Sequence, residues 1–103
     1  MARDVLALAR DTEGALANRD ARRARAIVEG DRAIDRQYRR VRKRLEQQIR
    51  TDAARLHAWL QFVGLARNLE RIADHARDIA QMIVYLEEGI FIRHKLDPPP
   101  GSP

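Results

Sequence analysis

Carboxylates recur four residues apart at two places in the chain. Glu70, Asp74 and Asp78 lie in the stretch ARNLERIADHARDIAQ (66–81), and Asp31 and Asp35 lie in DRAID (31–35). Four residues turn an α-helix by about 400°, so each step drifts by about 40° and the acids form a shallow spiral along one side. Like charges at that spacing repel. Solvent, a neighbouring arginine or a bound cation must offset the repulsion. Oxygen donors of this kind suit hard cations such as Mg²⁺, Mn²⁺, Ca²⁺ or iron. Arg32, Arg36, Arg67, Arg71 and Arg77 stand near the acids in sequence and offer ordinary ion pairs instead.

The elements that must position these acids are helices. Arg, Ala and Leu dominate, and all four prolines come at Pro98 or later. A first helix is expected from about Ala2 to Ala17, with a thin apolar stripe at Val5, Ala9, Thr12 and Leu16. A second, from about Ala21 to Ile49, has Asp20 placed to cap it. Its stripe is Ala24, Ile27, Ile34, Tyr38, Val41, Leu45 and Ile49, interrupted by Asp31. A third begins near Thr51 or Asp52, either of which could cap it, and ends at Gly89. Leu56, Trp59, Leu60, Val63, Ala66, Leu69, Ile72, Ala73, Ala76, Ile79, Ala80 and Ile83 give it the widest apolar face.

Short connections between three helices predict an all-α fold, an antiparallel three-helix bundle over residues 1–95. The Pro-rich end, LDPPPGSP (96–103), reads as a disordered tail. Two long helices cannot be fully covered by one short one, so an apolar strip should remain for another repeat or subunit. If the second and third helices turn back near Arg50, residues equally distant from the turn lie side by side. That brings Asp31 and Asp35 to about the level of Glu70 and Asp74, on a flank of the apolar face.

Composition sets outer bounds. At 103 residues the chain is one domain by length, and it contains no cysteine, so disulfides and thiolate metal sites are excluded. The opening MARDVLALAR is too charged for a signal peptide, and no apolar run is long enough to span a membrane. A soluble cytoplasmic protein is the expectation. The net charge is +5 and the densest basic block is RQYRRVRKR (36–44). That block admits a second reading, a basic helical module for nucleic acid or an acidic partner. No recognition motif for duplex DNA and no interleaved aromatics for single strands accompany it, so nucleic acid is disfavoured. No catalytic constellation is visible: no nucleophile beside a base, no Gly-rich phosphate loop, no Glu-x-x-His pair of the di-metal bundles. His75 reads as a structural histidine, Trp59 as core, and His57 and His94 as incidental.

ARNLERIADHARDIAQMIVYL (66–86) resembles the last helix of the PhoU family of phosphate-signalling regulators. That helix has the form A-R-x-L-E-R-I-x-D-H-A-x-N-I-A, matched here by Ala66, Arg67, Leu69, Glu70, Arg71, Ile72, Asp74, His75, Ala76, Ile79 and Ala80. VEGDRAIDRQYRRV (28–41) is similar to the family's middle helix, where two acids, here Asp31 and Asp35, precede an aromatic, here Tyr38. YLEEGIFIRHK (85–95) is similar to the way these proteins close. The resemblance implies a three-helix repeat and a multinuclear site for divalent or trivalent metal (iron, Mn or Mg) held by Asp31, Asp35, Glu70 and Asp74. It also implies a non-catalytic regulator that couples a phosphate ABC transporter, through its ATPase, to a sensor histidine kinase. The chain departs from the family in two ways. It has the length of one repeat where the family usually has two, so it is either a stand-alone single repeat, with a homodimer in place of the second, or a fragment matching the second half. Asp78 stands where asparagine is common, and could supply an extra ligand.

Overall fold

The structure, a computed structural model, describes residues 1–89; residues 90–95 and the Pro-rich segment 96–103, with His94, lie outside the described residues. Among the described residues there are three α-helices: α1 (Ala2–Asn18), α2 (Ala21–Thr51) and α3 (Leu56–Glu88). A single 3₁₀ turn, Ala53–Arg55, links α2 to α3. The all-α bundle expected from composition is the fold observed.

Its turns follow from local chemistry. Arg19 takes the left-handed conformation (φ 50°) that closes α1. Asp20 then caps α2, its Oδ1 accepting from the Arg23 N–H at 3.0 Å. Gly89, also left-handed (φ 72°), ends α3 and donates its N–H to the Tyr85 carbonyl at 2.7 Å. The start of α3 differs from expectation. α2 continues through Thr51, Asp52 breaks the chain direction, and α3 begins only at Leu56 with no side-chain cap. The Asp52 carboxylate is used otherwise: it accepts from Trp59 Nε1 at 3.3 Å and lies 3.7 Å from Arg55.

Paired residues set the directions. Gln37 donates to Asp4 at 2.7 Å, so α1 and α2 run antiparallel. Arg25 pairs with Glu88, and Arg77 with Asp31, so α2 and α3 do too. Arg19 to Glu87 (2.7 Å) ties the α1–α2 turn to the end of α3.

The core is built where small residues let the helices approach. α3 contributes Ala66, Ala73, Ala76, Ala80, Ile83 and Val84; α2 contributes Ala24, Ile27, Val28 and Ile34. Each fully buried Ile or Val contributes roughly 1.5–3 kcal/mol. α1 buries Val5, Leu8, Thr12 and Ala15, whereas Leu16 is exposed. The stripe through Ala9 and Leu16 is therefore corrected to one through Leu8 and Ala15. Both stripes share Val5 and Thr12 and differ by a rotation of the helix. The Thr12 hydroxyl is satisfied within α1, donating to the Leu8 carbonyl at 2.8 Å.

α1 has 17 residues against 31 and 33 for its neighbours. Below Met1 no other described residue covers α2 and α3, and an apolar groove opens between Val41, Leu45, Phe62, Leu65 and Leu69. Trp59 lies in this uncovered end, half-buried, its ring centroid 6.0 Å from that of Phe62. It is not a core residue, because α1 stops short of it.

Candidate functional site

Asp31 is the centre of the site. It occupies a core position of α2, between the levels of Ile27 and Ile34, and is 6% exposed. A charge so placed must have a partner. That partner comes from α3: Arg77 Nη1 lies 3.3 Å from Asp31 Oδ2 and 3.2 Å from Asp74 Oδ1. The other two nitrogens of the same guanidinium, Nε and Nη2, donate to Asp78 Oδ1 at 3.3 and 3.1 Å. One arginine thus engages three carboxylates from two helices.

The acids of α2 and α3 act on one another's charge across the interface. Burial raises the Asp31 pKa, Arg77 opposes that effect, and Asp74 and Asp35 push it up further. Glu70 is also raised, first by burial and then by Asp74, Asp35 and Asp31. Asp31, Asp35, Glu70 and Asp74 therefore share one electrostatic neighbourhood. Their mutual repulsion is only partly compensated. Arg39 meets Asp35 at 2.9 Å across one helical turn, while Glu70 has no ion pair or hydrogen bond among the described residues. Asp78 belongs to the outer edge of the group, 57% exposed at its side chain and turned to Arg77.

The donor chemistry, four carboxylates coupled by charge with negative charge in excess, suits a hard cation. The arrangement as it stands seats a guanidinium instead. Among the described residues no three His, Asp or Glu side chains are grouped so as to hold a metal ion. The place between Asp31 and Asp74 is taken by Arg77 Nη1. Burial makes the guanidinium harder to keep charged. Its hydrogen bond to Asp78 and the charges of Asp31 and Asp74 more than offset that, so its pKa is raised. Sequence reasoning placed Arg77 among five nearby arginines without singling it out. The signal was its position three residues after Asp74 and next to Asp78, on the flank that faces α2.

Other expected features lie apart from this site. His75 is exposed and His57 is exposed. Tyr38 is half-buried along the α2 interface. In the basic block Arg36, Arg39, Arg40, Arg42, Lys43 and Arg44 are all exposed. Arg39 and Arg42 form ion pairs within α2, the latter with Glu46 at 3.4 Å. Among the described residues no helix is long and apolar enough to cross a membrane.

Comparison with known proteins adds an independent line. The chain matches the PhoU domain over residues 1–83. It is 34% identical over 87 residues to the phosphate-specific transport system accessory protein PhoU homolog of Pseudomonas putida, covering 84% of this chain and 34% of the relative. The corresponding protein of Pseudomonas aeruginosa is 35% identical over 80 residues, covering 78% and 33%. The PhoU protein of Escherichia coli is 27% identical over 94 residues, covering 91% and 39%. The chain spans about a third of the length of the first two relatives. No solved structure matches it. With most of its length matched by the domain and more than a third of aligned positions shared with the second of these relatives, the chain belongs to the PhoU family.

Proposed function

We propose that this chain is a non-catalytic, cytoplasmic regulator of phosphate uptake and signalling that binds a hard metal ion through Asp31, Asp35, Glu70 and Asp74. The observation that supports the metal reading is the mutual charge coupling of these four acids, two from each long helix, with Asp31 itself buried. Carboxylates facing one another between helices are a recurrent means of holding metal in bundles. The regulatory reading is supported by relatives whose names describe an accessory protein of a phosphate-specific transport system. Its protein partners on this reading are the ATPase of a phosphate ABC transporter and a sensor histidine kinase. Calorimetric titration of the chelator-treated protein with Mn²⁺, Mg²⁺ and Fe²⁺ tests the metal reading. Binding that is lost in a Glu70→Gln, Asp74→Asn variant supports it; binding unchanged in that variant, or none at all, overturns it.

A specific observation also favours pairing with a second copy. Leu65, Ile72, Ile79 and Leu86 recur at seven-residue steps on α3 and are 53%, 47%, 42% and 66% exposed. That is the spacing of a helix–helix seam. The strip is symmetric about its midpoint, so a two-fold axis there sets Leu65 against Leu86 and Ile72 against Ile79 of an antiparallel copy. Arg71 and Asp78 border the strip almost symmetrically about the same point, which brings opposite charges together across the axis. Sedimentation across a concentration range should show a dimer that Ile72→Glu converts to monomer. A concentration-independent monomer removes the proposal.

The basic-module alternative predicts duplex binding that falls steeply with salt and depends on residues 36–44. The family match favours the regulator.

A further inference from the structure

We propose that Arg77 is the resident cation of the carboxylate cluster and Asp78 its clamp, so that the guanidinium and a bound metal ion exclude one another. This rests on the reading above that the cluster accepts a hard cation.

Burial of Asp31 denies its carboxylate solvent as a counter-charge, so the ionised form needs a cation beside it. In this structure the cation is Arg77 Nη1, which takes the position between Asp31 Oδ2 and Asp74 Oδ1 at 3.3 and 3.2 Å. A metal ion reaching the same two oxygens meets Nη1 there, and two cations at such a distance repel strongly in a partly desolvated site. Metal entry therefore requires the guanidinium to leave.

A way out exists. The Arg77 side chain is 26% exposed, and arginine carries a long flexible stem. What holds it in place is Asp78. This carboxylate is not buried and needs no partner of its own, with its side chain 57% exposed. It nevertheless accepts from both Nε and Nη2, the two nitrogens that do not serve the cluster, and so aims Nη1 inward. Asp78 thus acts on the site through Arg77, as a positioning residue and not as a ligand. The two roles predict opposite signs. If Asp78 were a ligand, removing it would weaken metal binding. As a clamp on the competing arginine, its removal strengthens binding.

The device gives the buried Asp31 a counter-charge without metal and sets a threshold for metal to bind. It also links the site to α2–α3 packing, because the guanidinium bridges the two helices whereas its displaced form does not.

Three proteins decide the matter: wild type, Arg77→Gln and Asp78→Ala, each stripped with chelator and titrated with Mn²⁺ by calorimetry. Thermal melting with and without Mn²⁺ gives a second readout. Arg77→Gln should bind about tenfold more tightly than wild type, the order expected when a charge-assisted contact no longer has to be displaced. Asp78→Ala should also bind more tightly, and both should gain more melting temperature from Mn²⁺ than wild type does. If Arg77→Gln does not fold without metal, Arg77→Lys replaces it, with tighter binding again expected because the fork that spans the carboxylates is gone. If wild type binds and the variants bind no more tightly, or Asp78→Ala binds more weakly, the exclusion is overturned while the metal reading stands. If none of the proteins binds Mn²⁺, both are overturned.

Discussion

Replacing Arg77 by Gln in the metal-free protein tests whether this guanidinium is what makes a buried Asp31 tolerable. Asp31 is 6% exposed, and among the described residues Arg77 is its ion-pair partner. Removing one member of a buried pair costs roughly 3–5 kcal/mol, because a charge is left uncompensated. Here water reaches the outer part of the network: the side chains of Arg77, Asp74 and Asp78 are 26%, 41% and 57% exposed. Screening lowers the cost to about 2 kcal/mol. In a domain of this size that is a fall in Tm of roughly 8–16 °C. The pH dependence has a definite sign. The folded pKa of Asp31 lies above its ordinary 3.8, raised mainly by burial. Below 3.8 the carboxyl is neutral in folded and unfolded chains alike, and losing Arg77 strands no charge there. The deficit should open as pH rises through the folded pKa. Urea denaturation followed by far-UV circular dichroism, at neutral pH and below pH 3.8, reads both values. Adding Asp31→Asn to Arg77→Gln should recover most of the neutral-pH loss, since the orphan charge goes with it. Equal deficits at both pH values, or a double variant as unstable as the sum of the singles, would refute the reasoning.

Three further outcomes follow from the same structure. The folded pKa of Glu70 is raised by burial, then by Asp74, Asp35 and Asp31. Its contribution is therefore present below its ordinary 4.5 and lost as pH rises through the folded value. Glu70→Gln should flatten that falling limb and be at least as stable as wild type at neutral pH without metal; a less stable variant contradicts the repulsion. Asp20→Ala removes the α2 cap seen at Asp20 Oδ1 and should cost about 1 kcal/mol in urea denaturation. Gly64 lies inside α3 with open space where a Cβ would go, so Gly64→Ala should stabilise by up to about 1 kcal/mol, and a loss of stability would point to a neighbour absent from the single chain.

Much of the scaffold was legible because local chemistry decides it. Asp20 and Gly89 mark helix ends through their own backbone and side-chain preferences, and both act where the sequence placed them. The register of the acids was legible only in part: a turn at Arg50 sets Asp31 opposite residue 69, whereas the link at 52–55 moves α3 along and brings Arg77 to Asp31. The face of α1 was not. Val5 and Thr12 belong to two stripes a small rotation apart, and only the placement of the two longer helices selects Leu8 and Ala15 over Ala9 and Leu16. Trp59 was misjudged for a related reason: an apolar position on α3 is core only where α1 is long enough to cover it. At the site, the types and level of the acids could be read, but not the choice among five arginines. That choice depends on which stem reaches across from α3 to a carboxylate buried in α2, a tertiary property that spacing does not encode.

The central claim is that the four acids form a cation site whose place is held by Arg77 when metal is absent. A crystal structure of the protein grown with Mn²⁺ tests it most directly. Anomalous density coordinated by oxygens of Asp31, Asp35, Glu70 and Asp74 is expected, with the Arg77 guanidinium withdrawn from Asp31. Arg77 still bridging Asp31 and Asp74 at full Mn²⁺ concentration, with no metal density between the helices, would contradict it.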